Sequence, residues 1–188
     1  MKRSYGQLRI IGGQWRSRKL PVLDNDGLRP TTDRVRETLF NWIQFDIADA
    51  YVLDLFCGSG GLAFEAASRG AKEVLMIDND SRTIEQLEDN IKTLAADNMR
   101  AVKADALSLL ASPSELPTQW DIIFVDPPFT QGLANKTLDL LAQSAQVTAD
   151  TLIYLETESE VEIDDLSPWK IIKDKRHGAV KFALLQRK

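Results

Sequence analysis

The sequence predicts an α/β protein with a central, mostly parallel sheet of seven strands, an antiparallel last strand, helices on both faces and a β-hairpin in front. Three observations lead there. From Tyr51 onward, short apolar runs alternate with segments of helical period. A break with glycines at 58, 60 and 61 joins the first of these runs to its helix. Aspartates recur at the ends of successive runs, at Asp54, Asp78, Asp105 and Asp126.

Residues 8–22 read as the hairpin, two runs (LRII and QWRSRKLPV) joined by a turn at Gly12-Gly13. Trp15 is expected on the core, and Arg16, Arg18 and Lys19 along an exposed edge. Asp24-Asn25-Asp26-Gly27 reads as a turn, so residues 1–28 form a basic arm and residues 29–188 the main domain. Pro30-Thr31-Thr32-Asp33 opens a helix, with a threonine at the N-cap and Asp33 in the first turn, where the helix dipole favours an acid. Val35, Leu39, Trp42 and Ile43 make its apolar stripe. Arg34 and Arg36 fall off that stripe, free to meet solvent, a cofactor carboxylate or an RNA phosphate.

Val52-Leu53-Asp54-Leu55-Phe56 is the first buried strand, and residues 62–67 are a helix ending at Gly70. Residues 74–77 form the second strand, before a helix with Ile84, Leu87, Ile91 and Leu94 on one face. Residues 99–103 and 122–125 are the third and fourth strands, and residues 111–117 a polar loop between them. Ala134, Leu138, Leu141, Ala142 and Ala145 mark another amphipathic helix, and residues 152–155 a fifth strand. Residues 169–172 and 180–185 close the sheet as an antiparallel pair. Cys57 reads as small apolar packing, and His177 as part of a solvated basic hairpin tip.

The 188 residues carry a net charge of −5, which hides an asymmetry. Residues 1–36 hold nine basic and three acidic side chains, a balance of +6 that leaves −11 for the rest. A basic segment on an acidic body predicts a local contact with a polyanion. One cysteine excludes an intramolecular disulfide and a cysteine-rich metal site. No apolar run approaches the roughly 18 residues of a membrane helix, and the start lacks a signal-peptide core. A cytoplasmic, metal-independent monomer with no membrane contact is therefore expected.

The chemistry concentrates at the strand ends, the edge of an open α/β sheet where ligands bind. Gly58-x-Gly60-x-x-Ala63 fits a dinucleotide fingerprint, which NAD or S-adenosylmethionine would satisfy. Asp54 favours the second, because a carboxylate buried in an apolar run needs a cationic or donating partner, such as the ammonium of a methionine moiety. Asp78, 20 residues after Gly58, can accept hydrogen bonds from ribose hydroxyls. Asp105 can accept an adenine amino group, with the Ala106 N–H on the ring, or cap the next short helix. The expected cofactor set is Asp54, Phe56, Gly58, Ser59, Gly60, Asp78, Asn79, Asp105 and Ala106. Asp126-Pro127-Pro128-Phe129 points to the reaction. An exocyclic amino nitrogen is a poor nucleophile, since its lone pair is delocalised into the ring. The Asp126 carboxylate and the Pro127 carbonyl can each accept one N–H and aim that lone pair at a methyl group. The prolines fix the backbone without adding donors, and Phe129 can stack on an extruded base.

At these residues the chain resembles the class I Rossmann-like methyltransferases. It is most similar to the bacterial 16S ribosomal RNA guanine-N2 methyltransferase D family, through RIIGGQWRSRKL, RPTTDRVRETLFNWI, VLDLFCGSGGLAFEAASRGA and DPPF. That resemblance implies S-adenosylmethionine as cofactor, 16S ribosomal RNA or a small-subunit particle as partner, and guanine 966 as the target held by residues 126–129. Arg9, Arg16, Arg18, Lys19 and Arg34 are the candidate RNA contacts. Two other classes compete with it. A DNA adenine-N6 methyltransferase shares the catalytic tetrapeptide but needs a target-recognition segment. A non-catalytic RNA-binding module leaves the strand-end acids without a purpose.

Overall fold

The computed structural model describes residues 5–23, 31–112, 119–129 and 132–188. The turn expected at residues 24–27, the basic residues Lys2, Arg3 and Arg29, and most of the polar loop at 111–117 lie outside them. The chain opens with β1 (Tyr5–Arg9) and β2 (Lys19–Leu23), followed by α1 (Asp33–Trp42). The alternating part begins with β3 (Tyr51–Asp54), α2 (Gly61–Ser68), β4 (Glu73–Asp78), α3 (Ser81–Leu94) and β5 (Met99–Lys103). It continues through α4 (Ala106–Ala111), β6 (Ile122–Val125), α5 (Leu133–Gln143) and β7 (Leu152–Glu158). The closing pair is β8 (Trp169–His177) and β9 (Val180–Arg187).

Seven strands make one sheet in the order β5-β4-β3-β6-β7-β9-β8, parallel except for β9. The last strand in sequence thus lies inside the sheet, antiparallel to both neighbours. Helices cover both faces, which is why the inner strands read as continuous apolar runs rather than as alternation. On one face Val52, Val74, Met76, Phe124 and Tyr154 pack with Val35, Leu39, Phe64 and Leu87 from α1, α2 and α3. On the other, Leu53, Leu75, Ile123 and Ile153 meet Leu110, Leu138 and Leu141 from α4 and α5. Among the described residues no helix is long and apolar enough to cross a membrane.

The hairpin is present, but Gly12-Gly13 is not its turn. The strands pair from Tyr5↔Leu23 to Arg9↔Lys19, and a nine-residue connection, residues 10–18, joins them. The glycines instead let the backbone press against the end of α2. A Cβ on Gly13 would come 1.8 Å from the Ser68 carbonyl oxygen, and φ there is +72°. The contact is polar as well as close. Ile11 and Gly12 N–H donate to the two carboxylate oxygens of Glu65 at 2.8 Å each, and Gln14 N–H donates to the Ser68 carbonyl at 2.8 Å. The Ser68 hydroxyl donates to the Gly12 carbonyl at 2.6 Å and accepts from Trp15 N–H at 2.9 Å. Leu8, Ile10, Trp15, Leu20 and Val22 then join the main core.

Thr32 caps α1 by accepting the Val35 N–H. Arg36 corrects the expectation of a free side chain. It precedes Phe40 by one turn, so it belongs to a buried face wider than the apolar stripe, and it is 2% exposed. Its guanidinium donates to Asp33 Oδ1 (2.6 Å), the Arg9 carbonyl (2.9 Å) and the Gly61 carbonyl (3.5 Å), and lies 3.9 Å from Glu65. Glu65, fully buried, also accepts from Arg69 Nε at 2.7 Å.

Replacing Glu65 with Gln leaves two half-buried backbone donors without their carboxylate, Arg69 without its charge partner and Arg36 with Asp33 alone. Removing one member of such a buried pair costs about 3–5 kcal/mol, lowering Tm by roughly 10 °C. Hydrogen exchange should report lost protection at Ile11 and Gly12 first; protection unchanged there would show that Glu65 does not hold the hairpin.

Candidate active site

The four strand-end aspartates line one cleft of about 1080 Å³, over the C-terminal edge of β3, β4, β5 and β6. The break in strand order at β3, where the chain crosses from one side of the sheet to the other, opens this crevice. Asp54 ends β3 at 2% exposure, and its Oδ1 has no hydrogen-bond partner. Burial pushes its carboxyl up to about 7, against hydrogen bonds from the backbone at Phe56 and Ala63 and with the Asp78 charge adding to the rise. Gly58 and Gly60 both take positive φ, 46° and 78°. A Cβ on Gly60 would collide with Phe64 and Leu87 at 2.6 and 2.8 Å. Gly60 is the N-cap of α2 and supplies no side-chain acceptor of its own, so the Asp54 carboxylate takes that place, accepting from the Ala63 N–H in the first turn.

Asp78 accepts from Gly58 N–H (3.2 Å) and Asp80 N–H (2.8 Å), which fixes both oxygens and leaves each a lone pair for a ligand donor. Asp105 caps α4, accepting the Ser108 N–H at 2.8 Å, and Ser108 holds its carboxyl below the usual range. The cap and a ligand contact are compatible, because Asp105 and Ala106 also line the cleft. Phe56, Ser59 and Asn79 line it too. Cys57 is buried, and burial pushes its thiol well up, as fits a packing residue. These residues suit S-adenosylmethionine: a buried carboxylate with one oxygen unpartnered for a cation, a close glycine backbone, and a second carboxylate with spare lone pairs.

Asp126 follows β6, and Pro127, Pro128 and Phe129 carry the cleft wall onward. Thr31, just before α1, donates its hydroxyl to Asp126 Oδ2 at 2.8 Å. Burial first, then the neighbouring Glu156 charge, drives the Asp126 carboxyl well above its ordinary range; the Thr31 bond opposes this and Asp54 adds to it. Sequence reasoning missed three residues here. Thr31 was seen only as a possible helix cap. Glu156, at 4% exposure, lies beyond the point where the fifth strand was expected to end, and Tyr154 donates its hydroxyl to it at 2.6 Å.

The candidate RNA residues do not sit together. Arg9 pairs with Asp33 at 3.1 Å and Arg34 is exposed on the first turn of α1, so both stand near Thr31 at the rim of the cleft. Arg18 instead reaches the Thr93 carbonyl at the end of α3 (3.4 Å), and Arg16 lies in the loop docked on the end of α2. Both helices run back from the cleft, which puts Arg16 and Arg18 towards the opposite edge of the sheet. Lys19, level with Arg9, is exposed between them.

Comparison with known proteins agrees with this architecture. The sequence matches the family model described as conserved hypothetical protein 95 over residues 8–186. The ribosomal RNA small subunit methyltransferase D of Escherichia coli (strain K12) is 48% identical over 183 residues, covering 97% of this chain and 91% of that protein. Its Haemophilus influenzae counterpart is 42% identical, covering 96% and 94%. The solved structure of yhhF from Escherichia coli superposes with a TM-score of 0.86 at 44% identity, over 97% of this chain and 99% of that one. This chain belongs to the conserved hypothetical protein 95 family, together with the ribosomal RNA small subunit methyltransferase D proteins.

Proposed function

We propose that the protein methylates ribosomal RNA, transferring a methyl group from S-adenosylmethionine to the exocyclic N2 amino group of a guanine, guanine 966 of the 16S RNA by its family resemblance. The observation that carries this reading is that Asp126, held by Thr31, opens into the same cleft as Asp54, whose Oδ1 has no hydrogen-bond partner. Relatives described as ribosomal RNA small subunit methyltransferase D support the RNA as substrate.

The cofactor supplies an electrophilic methyl group on a sulfonium. Asp54 takes the positive charge of the methionine part, Asp78 the ribose hydroxyls, and Asp105 with the Ala106 N–H the adenine. On the other side of the cleft, Asp126 and the Pro127 carbonyl accept the two N–H bonds of the target amino group. That draws the nitrogen towards tetrahedral geometry and fixes its lone pair in one direction. Pro127 and Pro128 hold the carbonyl rigid, and half-buried Phe129 offers its face to the base. Arg9 and Arg34 are placed for phosphates beside the target, and Lys19, Arg18 and Arg16 for backbone running down the α2 and α3 side.

Supplying tritiated S-adenosylmethionine with ribosomal RNA, total DNA or tRNA and digesting to nucleosides tests the reaction. Label in N2-methylguanosine from 16S RNA is expected; label in N6-methyladenine from DNA would replace this reading with the DNA one. In single turnovers with saturating cofactor, Asp126→Ala should lose about a hundredfold or more in rate while cofactor affinity holds. Phe129→Ala should weaken RNA capture by roughly 1–3 kcal/mol. A wild-type rate for Asp126→Ala would move the chemistry elsewhere.

Cofactor binding should depend on pH through Asp54. Its carboxyl titrates near 7 in the free protein, and a cationic ligand binds the ionised form. As pH falls below about 7 a proton must leave on binding, so affinity should drop towards tenfold per unit and level off above. Calorimetry of S-adenosylhomocysteine binding in buffers of different ionisation enthalpy reads that proton. Asp54→Asn should bind weakly with a flattened profile; an unchanged profile would remove Asp54 from the site.

Charge reversal of Arg34 to Glu should lower RNA affinity and flatten its salt dependence. The same change at Arg16, remote from the cleft, should do less. Equal effects from both would mean that the RNA is not centred on the Asp126 rim.

A further inference from the structure

Glu156 has no part in the reaction as described, yet its carboxyl is buried within β7, and burial raises it. Parallel pairing sets Val125 of β6 against Leu155 of β7, so the next residues, Asp126 just past the end of β6 and Glu156 within β7, come level on adjacent strands. Each carboxylate has one hydroxyl donor among the described residues: Thr31 for Asp126 at 2.8 Å and Tyr154 for Glu156 at 2.6 Å. The titratable groups facing the pair are Asp54 from β3 and Tyr154 from β7. β9 opposes Glu156 with Phe182, and α1 contributes Phe40, packed edge-on against Phe124 below. No lysine or arginine among the described residues makes an ion pair with Asp54, Asp126 or Glu156. Carboxylates on adjacent strands at one cleft, with no cation paired to them among the described residues, do not all ionise readily.

The geometry points to Glu156 as a positioning residue for methyl transfer: it shares one proton with Asp126, so that the pair enters the reaction with a single negative charge and takes up the proton that the amino nitrogen loses. This rests on the assignment of Asp126 as the acceptor of the target amino group. An isolated Asp is a weak base at neutral pH, and a proton acceptor works best with an affinity near the operating pH. Burial supplies that affinity, and repulsion between the two carboxylates keeps the first proton in the pair, so that only one negative charge stands beside the target. As the nitrogen lone pair forms its bond to the methyl carbon, the carbon–sulfur bond breaks with its electron pair going to sulfur, which leaves as a neutral thioether, and one N–H bond breaks. The electron pair returns to nitrogen and the proton goes to an Asp126 oxygen, taking the pair from one proton to two and from one negative charge to none. One proton then returns to water as the products leave. Burial raises both carboxyls, and the Glu156 charge raises Asp126 further, which agrees with this sharing.

The test is the pH dependence of single-turnover methyl transfer in wild type and Glu156→Gln, whose amide oxygen can still accept from Tyr154. In wild type the acid limb marks uptake of a second proton by the singly charged pair, whereas in Glu156→Gln it marks Asp126 alone, whose anion no longer shares a proton. The acid limb should therefore move to higher pH by about one unit, the plateau rate should fall about tenfold, and cofactor affinity should hold. A uniform loss with the limb unmoved would reduce Glu156 to packing and overturn the inference. Carbon-13 titration of the Asp and Glu carboxyls in the full-length apo protein gives a readout that needs neither variant nor activity. Asp126 and Glu156 should together carry one negative charge at about pH 7, and two independent titrations near about 4 would overturn proton sharing. Asp126→Ala separates the two failures. If it transfers methyl at the wild-type rate, the acceptor assignment falls and this inference with it. If it is inactive while the Glu156→Gln profile is unmoved, only the sharing falls.

Discussion

A carboxylate with no access to solvent, Glu65, is the constraint on which the layout of this protein depends. An ionised group there must be surrounded by donors, and it draws them from three parts of the chain: the Ile11 and Gly12 backbone, Arg69 of its own helix, and Arg36 of α1. The N-terminal hairpin is therefore referenced to the same short helix whose other end is the glycine loop. Arg36 ties in α1 by donating to the Gly61 carbonyl at the start of α2 and to the Arg9 carbonyl on β1. Since Thr31 enters α1 and holds Asp126, the two halves of the cleft are set against one common element. A basic arm that was only a flexible tether would give no such reference.

Much of this was legible in the sequence, for a definite reason. The inner parallel strands β3, β4, β6 and β7 are apolar runs that lead into an acid, and β5 at the edge leads into Asp105, so apolar runs and the acids after them mark the sheet edge without knowledge of the packing. That rule located Asp54, Asp78, Asp105 and Asp126 in one cleft. It failed for Glu156 because the apolar run was cut at Leu155, while the strand continues to Glu158 through buried polar residues. Applied once more, to the first acid after that run, the same rule finds it. Arg36 was misplaced by a different limit. Periodicity counts apolar residues and cannot see a guanidinium that goes inward to a buried carboxylate on another helix. Gly12-Gly13 resembled a hairpin turn for the same reason: local composition cannot tell a turn from a close approach to the Ser68 carbonyl, which is distant in sequence.

The order of strands explains why two ligands can meet here. Asp105, Asp78, Asp54 and Asp126 follow or end β5, β4, β3 and β6, and Glu156 of β7 comes level with Asp126, so the five acids stand on five neighbouring strands of the sheet. Adjacent strands lie about 4.8 Å apart, so the acids form a row whose members feel one another. The first three face the half assigned to the cofactor, and the last two the half assigned to the base. β3 and β6 are neighbours only because the chain returns to the centre of the sheet after β5, and that return puts Asp54 beside Asp126. Charge then couples the two halves. Asp54 raises the proton affinity of Asp126, and a cation bound at Asp54 neutralises it where the charge is least tolerable. A fold that lined up these carboxylates without a cationic ligand to receive would hold protons at a standing cost in stability, and that makes the row an argument for the ligand as well as for the reaction.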